Sequence, residues 1–508
     1  MPGLIAEPTL TKGQQQQLDQ VVEAFTTSDK QLSSTFRQIH RELATNHTWF
    51  QQGEQQTVDN ANPVNCCNKK PHGTALGMAI DASGKRIRIS STRFVEVDGG
   101  KQTTSESVAT QVFIPSAKAR ENVSEFFKFV AFCIREFINN HGLLAEKSTT
   151  SVNGATRKVN GEFECLPLGV SIGLPISTAV EESRSLLGHD KILPAKTRLY
   201  CNVAEISKED SLDLGNSDVA RYLHDAILCN HLPVRIASVA NNVVNSLVAA
   251  QFNDKTTRVA ASFNHGVNAA YLKRAPNDSA DALDNSDVAI NTEIGRFGST
   301  EASLSALPLT MWDNRIDRES KHPGMRRFEK LVADQYLGEI VRNLITDFMD
   351  RQLLFSSNCE AAKISDPYSF HTAYMAPIME DTSLDLSAVG NLFATEFGIA
   401  TSLGNRQIIR TFCDCVASRA SRLSGAMLAA LVLKSSDYAL AKRCTVALYG
   451  ALFDVNAMIY NDTVATMQRL MADYSSRNGE DAEAVEVRAS IQSRFIDLVG
   501  ASINAASA

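Results

Sequence analysis

Ser238-Val239-Ala240-Asn241-Asn242-Val243-Val244-Asn245-Ser246-Leu247 is the stretch on which the reading of this chain turns. A mostly apolar run, Val234 through Ala240, leads into two adjacent amides, and a second apolar run follows. The pattern predicts a buried strand running into a helix that starts against a sheet. Polar side chains at the end of a buried strand are where an α/β protein usually keeps its chemistry.

Downstream, Arg258 to Phe263 and Asn268 to Leu272 predict two strands joined by a turn at Asn264-His265-Gly266-Val267, and Val288 to Asn291 a further strand. Ala275 to Asp287 is a polar insertion. From Gly324 the pattern is mostly helical, over 328–354, 387–397 and 407–433. Arg443 to Leu448 returns to strand, and 455–474 and 483–503 close the chain as helices. Upstream, Ser217 to Cys229 reads as a helix with Val219, Tyr222, Leu223 and Ile227 inward and Asp218, Arg221 and Asp225 outward. Leu166 to Leu174 predicts a buried strand; 192–199 is less clear, and 147–163 is a polar excursion. Met78 to Ile89 predicts a hairpin around Asp81-Ala82-Ser83-Gly84-Lys85-Arg86, with further strands at 94–97 and 108–114 and a helix at 122–138. Residues 46–73 read as a loop or linker. Helical spacing over 11–44 breaks at Ser28-Asp29 into two helices, after a loose tail at 1–10. Strands in two clusters, each followed by helices, indicate two α/β lobes with a cleft between them.

The chain has 508 residues, 44% hydrophobic and 21% charged, as in ordinary soluble globular proteins. A net charge of -7 gives no direct signature of nucleic-acid binding. No apolar run approaches the roughly 20 residues of a membrane span, and 1–17 lacks the basic-then-apolar layout of a secretory signal. The expected setting is intracellular, with cytoplasm, nucleus and mitochondrion unresolved. Ten cysteines then read as free thiols. Cys66-Cys67 and Cys413-x-Cys415 have no partner pair at zinc-site spacing, so no metal site is expected.

Several segments, in one order from about Asp81 to Leu452, resemble the hexokinase family. They include Asn291-Thr-Glu-Ile-Gly-Arg-Phe-Gly298, Asp317-x-x-Ser320 with Pro323-Gly324, Phe328-Glu-Lys330 and Tyr336-Leu-Gly-Glu-Ile-Val-Arg342. Pro367-Tyr-Ser-Phe370 and Ser418-Arg-x-x-Arg-Leu-Ser424 continue them. The resemblance implies an α/β, two-lobed actin-like ATPase fold with a cleft between lobes. It divides the chain into N-terminal helices of the large lobe (1–74), a small lobe (75–235), the large lobe (236–455) and helices returning to the small lobe (456–508). It implies ATP with Mg2+ deep in the cleft, weakly held or lost, and a hexose between the lobes.

In the family the opening stretch reads V-N-D-T-V-G-T-L, where the Asn touches the sugar and the Asp is the base for the sugar hydroxyl. Here Asn241 keeps the first role and Asn242 replaces the base. A neutral amide cannot take that proton, and loss of a positioned base slows such reactions by about 10² to 10⁴. Asn245 and Ser246 replace Gly-Thr on the nucleotide side. Asn241, Asn268, Glu293 and Glu329 match sugar contacts of the family, since amides and carboxylates each hydrogen-bond neighbouring hydroxyls. Glu293 and Glu329 equally suit a structural role, as caps or ion-pair partners. Arg326 stands where Gln is usual, Gly173 where a serine is, and Gly188-His189 where a Thr-Lys pair is.

The nucleotide side departs further. The first phosphate loop, D-L-G-G-T-N-x-R in the family, keeps Asp81, Gly84 and Arg88, but Ser83, Lys85 and Arg86 are changed; a solvated hairpin turn is the plainer account. The second, G-T-G-T-N-A-A-Y, keeps Gly266 and Asn268 but no threonine hydroxyl. The segment similar to G-V-D-G-S keeps Gly450, with Tyr449 in place of the acid. His265 reads as a loop residue.

Two functions stay open. One is a non-catalytic hexokinase-like sensor, scaffold or regulator with a hexose ligand and regulatory protein partners. That pattern resembles the atypical hexokinases of filamentous fungi, linked to carbon-starvation responses. The other is an active ATP-dependent hexose kinase with a rearranged site.

Overall fold

The computed structural model describes residues 10–46, 61–65, 70–81, 84–97, 102–143, 165–173, 176–178, 197–199, 219–264, 266–274, 287–355, 362–435, 443–455, 457–477, 486–493 and 495–507. The readings of 1–9, Cys66-Cys67, Ala82-Ser83, 147–163, Gly188-His189, His265 and 275–286 lie outside the described residues. In chain order the described elements begin with α1 (Lys12–Phe25), α2 (Asp29–Asn46), β1 (Ala61–Asn65), β2 (Gly73–Ile80), β3 (Ile87–Val97), β4 (Gln102–Phe113) and α3 (Val123–Asn140). Then come β5 (Leu166–Ile172), β6 (Ile176–Thr178), β7 (Thr197–Leu199), α4 (Val219–Cys229), β8 (Val234–Asn241), α5 (Asn242–Asn253), β9 (Thr257–Phe263), β10 (Val267–Arg274) and β11 (Asp287–Asn291). They continue through α6 (Glu301–Ser305), α7 (Met311–Glu319), α8 (Arg327–Val332), α9 (Asp334–Asp350), α10 (Ala362–Ser365), α11 (Met375–Met379), α12 (Ser387–Leu392) and α13 (Leu403–Lys434). Last are β12 (Arg443–Tyr449), α14 (Ala451–Val455), α15 (Ala457–Arg477), β13 (Glu486–Ile491) and α16 (Ile496–Ser507).

The chain divides into two compact units, one of residues 1–50, 261–269 and 292–491, the other of 51–260, 270–291 and 492–508. The second unit holds a five-stranded sheet in the order β4-β3-β2-β5-β8. The β2–β3 hairpin is antiparallel, with Ala79 opposite Arg88, while β2, β5 and β8 run parallel. Its central strands read as near-continuous apolar runs because both faces are covered. On one face Phe126, Val130, Ile134 and Phe137 of α3 pack with Met78, Ile80, Val170 and Leu223. On the other lies α16. A Cβ on Gly77 would sit 2.2 Å from the Leu498 carbonyl, and one on Gly169 1.9 Å from that of Ala501. These two glycines let helix backbone rest directly on strand backbone. In the same unit β11 pairs antiparallel with both β10 and β1.

The first unit is built around α13, which packs against α1, α2, α9 and α15. Its Arg419 is fully buried and pairs with Asp313 at 2.6 and 2.8 Å, its guanidinium 4.3 Å from the Phe25 ring centroid. The stretch is long and apolar enough to cross a membrane, an exception to the sequence expectation, but 83% of its most apolar window is buried inside the protein. It serves as a core helix. In this unit β12 and β13 pair in parallel, Cys444 opposite Val487.

The two N-terminal helices form where expected, the first capped by Thr11 and Gln14 in a reciprocal box. Four expectations are corrected. Ala61–Asn65 is a strand, because β11 offers it a free edge to pair with. Residues 328–354 are not one helix: Ala333 turns extended (φ -80, ψ 145) between α8 and α9. Within 483–503, residues 486–491 form a strand alongside β12, tertiary pairing overriding the helical pattern. Tyr222 is exposed and stacks on Phe127 at 6.0 Å rather than entering the core.

Candidate functional site

The opening stretch folds as the strand-to-helix junction that its pattern predicts. Asn241 ends β8 with an extended backbone and caps α5, its Oδ1 accepting from the Val243 N–H at 3.0 Å. Amides are favoured caps because they satisfy an orphan helix donor. Asn242 is the first helical residue, half-buried, and its carbonyl accepts from Ser246 Oγ at 2.8 Å. Asn245 is buried: its Nδ2 reaches the carbonyls of Val170 and Ala240 at 3.4 Å, and its Oδ1 accepts from Asn504 Nδ2 at 2.8 Å. A Cβ on Gly500 would lie 1.7 Å from the Asn245 carbonyl, so α16 and α5 meet backbone to backbone. Asn245 thus joins α5 to α16, and the Ser246 hydroxyl stays within α5, on the Asn242 carbonyl.

The first unit brings Asn268, Glu293 and Glu329 together. Asn268 Oδ1 accepts from the N–H groups of Glu293 (3.0 Å) and Ala269 (2.8 Å), and its Nδ2 donates to Glu293 Oε1 at 3.3 Å. Glu293 sits in the left-handed region (φ 54), a conformation that a non-glycine residue keeps only when its surroundings impose it. The imposing contacts are the Asn268 side chain and Thr292, whose N–H and Oγ1 both donate to the Ala269 carbonyl. Glu329 is buried in α8 with both oxygens engaged: Oε1 by Arg326 Nη1 and Oε2 by the Val267 N–H, each at 2.9 Å. Gly266 makes room for it, since a Cβ there would stand 2.6 Å from Glu329 Oε2.

Arg296 also belongs to this cluster and was missed by sequence reasoning. It is buried, which pushes its guanidinium pKa down, while Glu293 and Glu329 pull it back up and Arg326 opposes them. It lies inside the 291–298 segment that carries the family resemblance, but only the fold sets it among carboxylates. The segment leading to Arg326 is clamped from behind. Lys330 Nζ donates to Asp317 Oδ1 (2.9 Å), Ser320 Oγ (2.8 Å) and the His322 carbonyl (3.0 Å), and Asp317 also accepts from the Gly324 N–H. The Asp317-x-x-Ser320 and Phe328-Glu-Lys330 motifs are therefore one polar clamp. The arrangement is two carboxylates, two guanidiniums and an amide. Because a carboxylate oxygen carries two lone pairs, the engaged oxygens keep acceptor capacity for hydroxyl groups.

Asp81, Gly84 and Arg88 stand together on the β2–β3 hairpin of the second unit. Gly84 takes the positive φ (64) of the turn and donates its N–H to the Asp81 carbonyl at 2.8 Å. Arg88 lies 3.8 Å from Asp81 but makes its close contacts with Asp497 in the first turn of α16, at 3.3 and 3.1 Å. Asp497 accepts as well from Ser171 Oγ at 3.0 Å, while the Leu498 N–H donates to the Phe495 carbonyl at 3.1 Å. Burial pushes the Asp497 carboxyl pKa up, against the pull of Arg88 and Ser171. Gly173, in the serine position, donates its N–H to the Ile80 carbonyl at 3.1 Å.

Gly450 belongs to the first unit. With φ 129 it packs on Phe263, whose carbonyl a Cβ would approach to 2.3 Å. Next to it, the Ala451 N–H donates to Asn264 Oδ1 at 3.1 Å. The cavity lined by Ala451, Leu452, Asp334, Thr372, Met375 and Ile459 holds about 20 Å³. Among the described residues no three His, Cys, Asp or Glu side chains gather as a metal site.

Comparison with known proteins fits this framework. Two family profiles, both described as hexokinase, match residues 17–252 and 258–507. Hexokinase-2 of Saccharomyces cerevisiae is 27% identical over 446 residues, spanning 84% of this chain and 83% of that protein. The hexokinase of Emericella nidulans is 26% identical over 391 residues, 75% of this chain and 71% of that one. The solved hexokinase from Schistosoma mansoni complexed with glucose superposes with a TM-score of 0.73 at 21% identity, over 97% of this chain and 100% of its own. A second hexokinase crystal structure gives a TM-score of 0.67 at 19% identity, over 98% and 100%. With family profiles on both halves and the same two-lobed actin-like ATPase fold, the chain belongs to the hexokinase family.

Proposed function

We propose that this chain is a hexose-binding hexokinase homologue that no longer phosphorylates sugar at kinase rates and acts as a sensor or regulator in carbon or nutrient signalling. The observation that carries the reading is Asn242. At the first residue of α5, the position that family resemblance gives to the base, stands a carboxamide that cannot accept the hydroxyl proton. The Asn268, Glu293 and Glu329 cluster supports retained hexose binding, with acceptors held in place before any ligand arrives. A hexose that favours one conformation would shift the population toward it, which is all that a sensor needs.

ATP with Mg2+ fits the residues poorly. The retained arginine of the hairpin, Arg88, is already held by Asp497.

Titration calorimetry with glucose at millimolar concentration tests the binding half; absence of heat ends the hexose-sensor reading. A coupled ATP-to-ADP assay with glucose, fructose, mannose and glucosamine tests the other half. Sustained turnover at ordinary kinase rates would establish the second reading, an active hexose kinase, which the intact pair Glu293 and Glu329 favours.

A further inference from the structure

We propose that Asp497 is an internal substitute for phosphate, filling with the chain's own carboxylate the anion cradle to which Arg88 belongs and thereby setting the chain against polyphosphate ligands. The donors around it are those that recognise phosphate: a guanidinium fork and a hydroxyl, converging on a carboxylate in the first turn of a twelve-residue helix. They come from two separate strands, β3 and β5, and meet at the start of α16. The cradle is rigid, because Gly77 and Gly169 seat the start of α16 directly on β2 and β5. The Asp497 side chain is 5% exposed and that of Arg88 18%, so an entering phosphate must displace a carboxylate that has little water to retreat into. Covalent attachment to the helix keeps that competitor at a local concentration that no free ligand matches.

The inference rests on reading the 81–88 hairpin as the nucleotide-facing segment, but its test needs no sugar and no turnover. Calorimetry with tripolyphosphate, and separately with Mg-ATP, compares the wild-type chain with Asp497→Ser. The expected result is at least about tenfold tighter binding by the variant, and loss of that gain when Arg88→Met is added. A folded Asp497→Ser that gains nothing, or a gain that survives the loss of Arg88, overturns the proposal. Should Asp497→Ser fail to fold, Asp497→Asn keeps the volume and the Ser171 contact and is held to the same outcomes. If neither folds, a wild-type crystal grown with a non-hydrolysable ATP analogue decides. Arg88 still on Asp497 supports the proposal, and Arg88 on a phosphate overturns it. Kinase-rate turnover by the wild type would end the proposed function while leaving these binding differences to be judged alone.

Discussion

Asn504 of α16 donates its side-chain amide to Asn245 of α5 across 2.8 Å, in a place where both residues are buried. A buried donor that loses its acceptor costs about 1–3 kcal/mol. Asn245→Ala should therefore lower stability by about that amount, read as a reduced midpoint in urea with an unchanged slope. An unchanged midpoint would mean that the amide pair carries no net weight.

Gly266→Ala places a methyl 2.6 Å from Glu329 Oε2 and must move that carboxylate or the turn. If Glu329 holds a hexose, affinity should fall by at least about tenfold, while far-UV circular dichroism stays native. Equal glucose affinity in variant and wild type would show that Glu329 serves only as the partner of Arg326 and Val267.

Asn242→Asp restores the carboxylate at the head of α5 but leaves Arg88 on Asp497. Its turnover in a coupled assay should stay well below ordinary kinase rates, of about 1–100 per second. Full recovery from this single change would show that proton transfer alone had been lost.

The pH dependence of stability should carry the mark of Asp497. Burial raises its folded pKa above the unfolded carboxylate value of about 3.9. Between the two values the folded state binds the proton and the unfolded chain does not. Stability therefore falls as pH rises through the folded value, and is regained as pH drops toward the unfolded one. Measured against Asp497→Asn, the wild type should gain relative stability on acidification from neutral. A difference flat from pH 7 to 4 would contradict the raised value.

Much of this was legible in the chain. The apolar run into Asn241-Asn242 gave the β8–α5 junction, because a buried parallel strand and an amide cap are both local signals. The hairpin at Asp81–Arg88 and the paired residues Asn268 and Glu293 were likewise visible, by pattern or by resemblance. The partners that decide what these residues do were not. Arg88 meets Asp497 more than 400 positions away, and Arg296 feels the charge of Glu329, which stands on a different element. Nor could 486–491 be read as a strand, since what makes it one is the edge of β12.

The close seating of α16 on Gly77 and Gly169 has a kinetic consequence. Strands β2 and β5 are made hundreds of residues before the helix that covers their second face. During synthesis, at roughly 5–20 residues per second, that face stays bare for tens of seconds, an interval in which a nascent chain is open to chaperones and to misassembly. Long sequence separation between partners slows folding as well. The second unit should thus mature only after residues 496–507 leave the ribosome, whatever the first unit has already done.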